Sequence, residues 1–443
     1  MDFSQEYQEK LCTPAEAVKV VKSGDWVDYS QTCSIPVKLD AALAARHAEL
    51  ADVNIRSSIT MQPLKVVEEG EGSFIYNPWH CSGMDRRYID QGKAFFNPMM
   101  FRNVGSYYRK GYAPVDVLML TVSPMDAYGN FSTGLTNCCV QDIVDVAKYI
   151  ILEVNPNMPR VYGTTGDHIH ISQVNCLVES DEAIPTAMAP AATEIDRKIA
   201  EYIFPELSDG MTLQLGIGGM PNALGALVAE SDLKDIGMHT ELMSDGYLTL
   251  YKAGKITNMK KEIDRGKGVF SIANGSRELY DFLNENQGIY SAPIGYVNHP
   301  ETIKQFKNFV SINGCIAMDL YGQVCSESAG TRHISGTGGQ LDFVTGTFEC
   351  VNGKAFLAMS STFKDKKGTV HSRILPKFTQ GDIITTPRTQ VPTIVTEYGM
   401  AHQVGLPTWM RAENIINIAH PDFREDLIQA AEAQGIWRHS NKR

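Results

Sequence analysis

The stretch Asp209-Gly210-Met211-Thr212-Leu213-Gln214-Leu215-Gly216-Ile217-Gly218-Gly219-Met220-Pro221 combines a turn signal, a short apolar run and a glycine loop that ends at a proline. Helix-like spacing precedes it from Ile195 to Ile203, and an Ala/Leu-rich run follows from Asn222 to Ala229. The order helix, strand, loop, helix is typical of an α/β unit, in which each strand leads into a helix that packs back on the sheet. The stretch therefore predicts an α/β fold.

The same order of elements recurs near the N-terminus. Residues Trp26 to Tyr29 read as a strand between a helix-like segment and an Ala/Leu-rich helix from Lys38 to Ala45. A second match is sharper, because Asp126-Ala127-Tyr128-Gly129 and Asp319-Leu320-Tyr321-Gly322 share Asp, Tyr and Gly, and each follows an apolar run. Two matched features in the same order, at nearly equal offsets, predict an internal duplication.

The Pro/Ala-rich segment from Ile184 to Pro190 lies between the two copies and reads as a linker. We therefore expect two tandem domains, residues 1–190 and 191–443, each an open α/β domain with a mostly parallel sheet. Ligands bind such sheets at the carboxyl ends of the strands. We expect the active site at the domain interface.

Composition excludes several classes of function. The net charge is −11, from 51 acids and 40 bases, and no Lys/Arg run offers a face for nucleic acid. The N-terminus is polar and acidic, unlike a signal peptide, and no apolar run approaches the length of a membrane span. The nine cysteines are scattered along the chain, so we expect reduced thiols and a cytoplasmic protein.

Two glycine-rich segments can bring backbone N–H groups to a ligand. The first, Gly216 to Pro221, stands between a strand and a helix, where N–H groups can face a phosphate. It fails the dinucleotide fingerprint because Pro221 stands where the third glycine is expected, and a simple tight turn is the alternative. The second, Gly336-Thr337-Gly338-Gly339, can aim N–H groups at an oxyanion, with a plain hairpin or bulge as the alternative.

Glu241 is the acid that best fits a chemical role. It lies in a mostly apolar run that starts at His239 and stops at the turn signal Ser244-Asp245-Gly246. A carboxylate with a reference pKa of about 4.3 is ionised near neutral pH and needs no general base to act as a nucleophile. A surface or salt-bridged glutamate is the alternative.

Other chemistries have weaker support. The sequence contains no Gly-x-Ser-x-Gly elbow and no Walker loop. His168 and His170 would share one face of a strand, but no third ligand is evident, and we expect no metal site. No cysteine has the context of a nucleophile. His80 can line a pocket or pack against Trp79, and the sequence does not separate these interpretations.

Several of these stretches together resemble the acetyl-CoA hydrolase/transferase family of class I CoA-transferases. The resemblance rests on Leu215-Gly216-Ile217-Gly218 with Pro221, Thr240-Glu241-Leu242 with Asp245-Gly246, Val297-Asn298-His299-Pro300-Glu301, Gly336-Thr337-Gly338-Gly339 with Asp342-Phe343, Glu397-Tyr398-Gly399, and Ile418-Ala419-His420-Pro421-Asp422-Phe423-Arg424. The N-terminal stretches Gly24 to Tyr29 and Tyr76 to His80 look most like the branch that contains butyryl-CoA:acetate and 4-hydroxybutyrate CoA-transferases.

The resemblance implies specific roles for residues of this chain. Glu241, in the C-terminal domain, would be the nucleophile, and an oxyanion hole would be formed by Asn298, Gly338 and Gly339. CoA and the acyl group would be bordered by Gln214, Gly216, Ile217, Gly218, Gly219, Pro221, Gly336 and Thr337. Ser30 and Gln31 would face the site from the N-terminal domain.

The resemblance also implies an activity. We expect transfer of CoA from butyryl-CoA to acetate by a ping-pong reaction through an acyl-glutamyl anhydride and a glutamyl-CoA thioester. CoA would enter as acyl-CoA substrate, short-chain carboxylates would be the other substrates, and no metal or redox cofactor would be needed. A homodimer is expected. The alternatives are 4-hydroxybutyrate CoA-transfer, acyl-CoA hydrolysis by the same Glu241, and a CoA-binding regulatory protein without activity.

Overall fold

The structure is a computed structural model that describes residues 2–187 and 190–438. Its helices are α1 (Ser4–Lys10), α2 (Pro14–Ala17), α3 (Val37–Ala44), α4 (Lys65–Glu68), α5 (Gly83–Asp90), α6 (Val104–Arg109), α7 (Val140–Val144), α8 (Glu194–Ile203), α9 (Gly219–Glu230), α10 (Asp245–Lys252), α11 (Arg277–Leu283), α12 (Ile294–Val297), α13 (Pro300–Ile303), α14 (Gln340–Glu349), α15 (Thr408–Asn417) and α16 (Pro421–Ala433).

Its strands are β1 (Trp26–Asp28), β2 (Val53–Ser57), β3 (Phe74–Pro78), β4 (Val117–Val122), β5 (Asn130–Ser132), β6 (Tyr149–Val154), β7 (His168–His170), β8 (Cys176–Glu179), β9 (Thr212–Leu215), β10 (Gly237–Met243), β11 (Gly268–Ala273), β12 (Ile289–Ser291), β13 (Phe309–Gly314), β14 (Ala317–Asp319), β15 (Val324–Cys325), β16 (Ser328–Ala329), β17 (Arg332–His333), β18 (Lys354–Ala358), β19 (Thr362–Lys364), β20 (Val370–Ser372), β21 (Ile374–Leu375), β22 (Thr393–Thr396) and β23 (Gly399–His402).

The first of two compact units comprises Met1–Met188, Glu241–Ser244 and Lys267–Asn298. Its main sheet has the strand order β3-β2-β1-β4-β6-β8, and all neighbouring strands are parallel. Strand β4 is buried along its whole length, with Leu118 and Leu120 in one hydrophobic cluster and Val117 and Met119 in another. Because alternate side chains point to opposite faces of a sheet, both faces of this sheet are covered.

The second unit comprises Ala189–Thr240, Asp245–Gly266 and His299–Arg443. Its strands pair in the order β10-β9-β13-β18-β22-β23. Of these described pairs, β22 with the edge strand β23 is antiparallel and the others are parallel. The order β10-β9-β13-β18-β22 repeats the order β2-β1-β4-β6-β8 of the first unit. The predicted α/β class with mostly parallel sheets is confirmed.

The matched Asp-x-Tyr-Gly segments have the same conformation. In each, Oδ1 of the aspartate accepts the backbone N–H groups two and four residues further along, at 2.9 and 2.8 Å for Asp126 and at 3.1 and 3.0 Å for Asp319. Gly129 and Gly322 have φ angles of 83° and 82°, which glycine adopts without steric cost. This local repeat supports the predicted duplication.

The compact units are not continuous in sequence. Glu241–Ser244 and Lys267–Asn298, which the sequence analysis placed in the C-terminal domain, pack with the first unit. Backbone hydrogen bonds explain this, since the amide of Ala273 donates to Leu135 and the amide of Asn274 donates to Met243, at 2.8 and 3.0 Å. A division into duplicated domains at residue 190 stays a prediction, and Met188 and Ala189 of the predicted linker lie outside the described residues.

The expectation that all nine cysteines are free thiols is wrong for two of them. Cys12 and Cys176 form a disulfide, while Cys33, Cys81, Cys138, Cys139, Cys315, Cys325 and Cys350 are free. The N-terminal segment lies beside β8, where the amide of Cys12 donates to the carbonyl of Leu177 at 2.9 Å. A pairing over 164 residues leaves no local signal in the sequence.

None of the helices within residues 2–187 and 190–438 is long and apolar enough to cross a membrane.

Candidate active site

Strand β10 positions Glu241. The strand runs to Met243, and helix α10 begins directly afterwards at Asp245. The strand ends where the sequence predicted a stop, but Asp245 and Gly246 begin a helix where a turn was expected. Glu241 lies near the carboxyl end of the strand and is half-buried. This is the edge at which α/β sheets bind ligands.

The Asn298 side chain contacts the Glu241 carboxylate directly. Asn298 follows helix α12 and is fully buried, with its backbone amide bonded to the carbonyl of Ile294 at 3.0 Å. Its Nδ2 donates a hydrogen bond to Oε2 of Glu241 at 2.5 Å. Hydrogen bonds to an ionised acceptor are short and strong. The Glu241 carboxylate is thus oriented by a buried amide, which argues against a free surface glutamate.

Ser30 and Gln31 belong to the same unit and are buried in the loop after β1. Ser30 has a φ of 57°, held by a hydrogen bond from its backbone amide to Oδ1 of Asp28 at 2.8 Å. Oε1 of Gln31 accepts from Oγ of Ser58 at 2.9 Å. Oγ of Ser30 and Nε2 of Gln31 are buried without a hydrogen-bond partner, although buried polar groups are normally paired.

Asp28 is a supporting residue that the sequence analysis missed. Its Oδ2 accepts from the Tyr108 hydroxyl at 2.6 Å and lies 3.5 Å from Nη1 of Arg56. Burial raises the pKa of Asp28, and the Arg56 charge opposes that shift. Arg56 is itself stacked on the Trp26 ring at 4.4 Å. A lone acid inside the apolar run Trp26 to Tyr29 is the signal that could have identified this residue.

Hydrogen bonds link the Ser30–Gln31 loop to the strand beside Glu241. Oγ1 of Thr32 and Oγ1 of Thr136 are 2.9 Å apart, and Thr136 forms a β-bridge with Ile272 in β11. Asn274, the residue after β11, is bonded to the end of β10, because its backbone amide donates to the carbonyl of Met243 at 3.0 Å. Within this unit, the N-terminal loop and the carboxyl end of β10 are therefore parts of one connected framework.

The second unit holds Gln214 and the first glycine loop. Gln214 and Asn313 form a reciprocal pair at the carboxyl ends of β9 and β13, with both amide hydrogen bonds at 3.0 Å. The amide of Gly216 donates to the carbonyl of Ile312 at 2.8 Å. Asn313 was missed by the sequence analysis, since 99 residues separate it from its partner. Gln214 is buried and held by this pair.

The first glycine loop is the start of a helix. Gly218 precedes α9 with φ 128° and ψ −174°, a conformation that is essentially restricted to glycine. A β-carbon on Gly219 would lie 2.6 Å from Oδ2 of Asp196. Pro221 stands in the first turn of α9, where its missing N–H is harmless, and Ile217 at the tip is 65% exposed. The loop therefore presents backbone and one apolar side chain to solvent.

The second glycine segment also opens a helix, so the alternative of a hairpin is wrong. Gly338 has a φ of 54°, and Gly339 is the N-cap of α14. Oγ1 of Thr337 donates to Oε2 of Glu327 at 3.2 Å. Helix α14 packs against β13, the neighbour of β9 in the sheet. The two glycine segments are thus N-terminal to two different helices of the second unit.

The histidines of the sequence analysis have separate environments. His168 and His170 lie on β7, where their Nδ1 atoms contact Asp167 and Ser172 at 2.7 and 2.8 Å. In the described part of the chain, no group of three or more His, Cys, Asp or Glu side chains is arranged to hold a metal ion. Nδ1 of His80 is buried, and burial lowers the pKa of this imidazole to about 4. His80 is therefore neutral near neutral pH.

Comparison with known proteins places this geometry in a family. Residues 1–190 match the N-terminal and residues 275–431 the C-terminal domain of acetyl-CoA hydrolase/transferase. The chain is 46% identical to butyryl-CoA:acetate CoA-transferase of Anaerostipes caccae, with 100% of both chains covered. Among solved structures, RipA from Yersinia pestis superposes with a TM-score of 0.88 at 34% identity, covering 98% of this chain and 100% of RipA.

A 4-hydroxybutyrate CoA-transferase from Porphyromonas gingivalis is also similar. It superposes with a TM-score of 0.79 at 30% identity, covering 98% of this chain and 100% of the relative. The matched family domains span more than half of the chain, and the relatives are enzymes. The predictions of family and of enzymatic activity are thereby confirmed: the chain belongs to the acetyl-CoA hydrolase/transferase family.

Proposed function

We propose that this enzyme transfers CoA from butyryl-CoA to acetate, with Glu241 as the covalent nucleophile. The observation that carries the proposal is the 2.5 Å hydrogen bond between Asn298 and the half-buried Glu241 carboxylate at the carboxyl end of β10. A held carboxylate can attack without a general base. The similarity to a butyryl-CoA:acetate CoA-transferase over the whole chain supports the choice of substrates.

The first half-reaction moves CoA from the butyryl group to Glu241 in two steps. A carboxylate oxygen of Glu241 attacks the thioester carbonyl, the carbon–sulfur bond breaks, and CoA leaves as a thiolate from an acyl-glutamyl anhydride. The thiolate then attacks the glutamyl carbonyl and releases butyrate, which leaves a glutamyl-CoA thioester. The anhydride survives only where water is excluded, because hydrolysis would return free Glu241.

The second half-reaction runs the same steps in reverse. Acetate attacks the glutamyl-CoA thioester, the thiolate leaves, and an acetyl-glutamyl anhydride forms. The thiolate attacks the acetyl carbonyl, which gives acetyl-CoA and restores the carboxylate of Glu241. Each step consumes one anion and releases another, with acetate entering after butyrate has left, so the charges balance without a proton, metal or redox group. Binding of the remote CoA nucleotide can stabilise the reacting centre.

Other residues are proposed to stabilise the oxyanion or to bind the substrate. The Asn298 amide and the N–H groups of Gly338 and Gly339 are proposed as oxyanion donors, since donors of this type stabilise tetrahedral intermediates. Gln214, the loop from Gly216 to Gly219 with Pro221, Gly336 and Thr337 are proposed to border CoA and the acyl group. Ser30 Oγ and Gln31 Nε2 are proposed to contact the substrate, because both atoms are buried without partners.

Trapping the intermediate tests the proposal. Protein incubated with butyryl-CoA and no acceptor should carry an adduct that borohydride reduces or hydroxylamine converts, and mass spectrometry should place it in the peptide containing residues 239–246. Glu241→Ala should remove the adduct and the turnover. Glu301→Gln, which changes an exposed carboxylate paired with Lys304, is the matched control and should keep both. An adduct on a cysteine, or none, would overturn the mechanism.

Assays that vary the acyl group and the acceptor acid distinguish this activity from the related ones. The similarity to 4-hydroxybutyrate CoA-transferase makes that acid the second candidate substrate. Comparison of kcat/KM for butyryl-CoA and 4-hydroxybutyryl-CoA with acetate decides between them. CoA release without any acceptor acid would instead indicate a hydrolase, and binding without turnover a regulatory protein.

A cytoplasmic homodimer is proposed as the working form. The seven free cysteines agree with a reducing compartment, whereas the Cys12–Cys176 disulfide does not. Twofold dimers are the commonest assemblies of soluble proteins. Light scattering tests the dimer, and cell fractionation tests the compartment.

A further inference from the structure

A cavity of 540 Å³ lies in the second unit, away from the glycine loops. It is lined by Lys354 and Thr393, the first residues of β18 and β22, and by His402, the last residue of β23. Since β23 is antiparallel to β22, all three stand at the same edge of the sheet. Gln214 and Gly216 stand at the opposite edge, where β9 ends. The cavity is therefore distinct from the glycine-loop site of this unit.

The cavity has the size and lining of a small-molecule site. Such sites typically enclose about 300–1,000 Å³ and combine apolar walls with a few polar groups. Here helix α14 supplies Val344 from its middle and Phe348 from its last turn, and the loop after β23 supplies Val404. Phe348 is 69% and Val404 52% exposed. Covering such exposed apolar side chains with an apolar ligand favours binding, because it removes apolar surface from water.

The charged lining selects an anion. Lys354 is paired with Glu206, with 2.9 Å between Nζ and Oε2. Arg411 donates to the backbone carbonyls of Leu406 and Arg388 at 3.0 and 2.6 Å, and no described acidic side chain forms an ion pair with it. The wall thus carries one uncompensated positive charge, fixed in place by two carbonyl groups. Guanidinium groups bind carboxylates with well-defined geometry.

We propose that this cavity binds a small molecule with one carboxylate on an apolar body, such as an arylalkanoate, at a site separate from the active site. The carboxylate would meet Arg411, and the apolar body would cover Phe348 and Val404. Thr393 and His402, whose Oγ1 and Nδ1 atoms are 2.9 Å apart, would border the ligand on the side of the sheet.

Helix α14 connects the cavity to the second glycine segment. The helix begins directly after Gly338 and Gly339 and ends at the cavity wall. Its middle is tightly packed, because a β-carbon on Gly346 would lie 2.6 Å from Cβ of Ile303. This contact leaves α14 little room to bend there, so we propose that a ligand at the last turn shifts the helix as a unit and moves the glycine segment with it. This regulatory consequence rests on the proposed function, whereas binding itself does not.

Calorimetric titration of the full-length protein with 4-phenylbutyrate, in the presence of saturating CoA, tests the binding. We expect one site on the wild-type protein and on Glu241→Ala. Val404→Glu places an acid on the wall and should weaken binding about tenfold or more, which corresponds to ~1.4 kcal/mol. Val351→Glu is the matched control, since Val351 is 60% exposed but does not line the cavity, and its affinity should stay unchanged.

The proposal would be overturned by absence of binding to the wild-type protein, by binding that CoA displaces, or by equal affinity of the Val404→Glu variant. Arg411→Gln should weaken 4-phenylbutyrate but leave the uncharged 4-phenylbutanol unchanged; equal loss for both would refute the carboxylate contact. A dimer that Val404→Glu dissociates in light scattering would show that a second copy of the chain, not a small molecule, covers the cavity.

The regulatory consequence has its own readout. Addition of 4-phenylbutyrate at saturating substrates should change kcat of the wild-type enzyme and leave Val404→Glu unaffected. Binding without any change of kcat would refute the coupling through α14 but keep the site. Absence of all CoA-transfer by the wild-type enzyme would instead refute the proposed function, and the binding result would stand.

Discussion

Asn298 and Glu241 are joined side chain to side chain across 57 residues of sequence, with Nδ2 of Asn298 2.5 Å from Oε2 of Glu241. Asn298 is fully buried and ends helix α12, while Glu241 stands near the end of strand β10. The amide can hold the carboxylate before attack and serve the oxyanion afterwards. The proposed mechanism therefore depends on this pair.

Replacement of Asn298 by alanine should lower kcat by about 10²–10³, the usual loss for one oxyanion donor. Asn298→Asp should be at least as damaging, because it places a second acid beside Glu241. Steady-state kinetics measure the effect, and a thermal melt of each variant checks that the buried substitution leaves the fold intact. A folded Asn298→Ala enzyme with wild-type kcat would contradict the proposed role.

Gly218 and Gly216 should respond differently to alanine. Gly218 has a φ of 128°, so alanine there should cost about 1–3 kcal/mol of backbone strain, although no atom lies within 4 Å of the added carbon. Gly216 has no positive φ, and its added carbon would meet Ile312 at an ordinary 3.4 Å. Urea unfolding of the two variants checks this order. Equal destabilisation would mean that loop contacts, not the φ angle, set the cost.

The stability of the first unit should fall as pH rises because of Asp40. Burial raises the pKa of Asp40 to about 7 from its ordinary value of 3.8. The folded state thus binds the proton more tightly than the unfolded state, so the stabilisation present below about pH 4 is lost as pH rises toward 7. The full difference amounts to ~4 kcal/mol at 1.36 kcal/mol for each pKa unit.

Asp40→Asn removes this dependence while keeping an oxygen for the backbone amide of Lys65, which donates to Oδ2 of Asp40 at 2.6 Å. The urea midpoint of the wild-type protein, followed from pH 4 to pH 8, should fall more steeply than that of the variant. Parallel curves would show that Asp40 titrates near its ordinary pKa. Glu153, whose pKa is also raised by burial, stays in both proteins, and its charge adds to the raised pKa of Asp40, so Glu153→Gln is the second variant to compare.

Counting of free thiols tests the Cys12–Cys176 disulfide directly. Protein denatured without reductant should present seven free thiols, and reductant should raise the number by two. Cys12→Ser should lower stability by about 2–5 kcal/mol, because the disulfide closes a long loop in the unfolded chain. Nine free thiols in protein alkylated at cell lysis would show that the pair is reduced in the cell. Cys33→Ser, at a free cysteine, controls for loss of a thiol alone.

Local features were predictable from the sequence because local hydrogen bonds create them. The strand-to-helix loops before α9 and α14 follow from glycines that permit positive φ and, at Pro221, from a residue suited to a first helical turn. The repeated aspartate turns at Asp126 and Asp319 involve partners only two and four residues away. Such patterns sufficed for the α/β class, for the prediction of a duplication and for the choice of Glu241 as a candidate.

Only the tertiary structure decided which distant residues meet. The pairs Asn298–Glu241, Gln214–Asn313 and Cys12–Cys176 are 57, 99 and 164 residues apart, and no local pattern encodes such distances. Tertiary packing brings these residues together, and it also places Glu241–Ser244 in the first unit. The sequence alone thus determined most of the elements and the candidate nucleophile, whereas tertiary packing decided its partner Asn298, since side chains remote in sequence meet only when the chain folds.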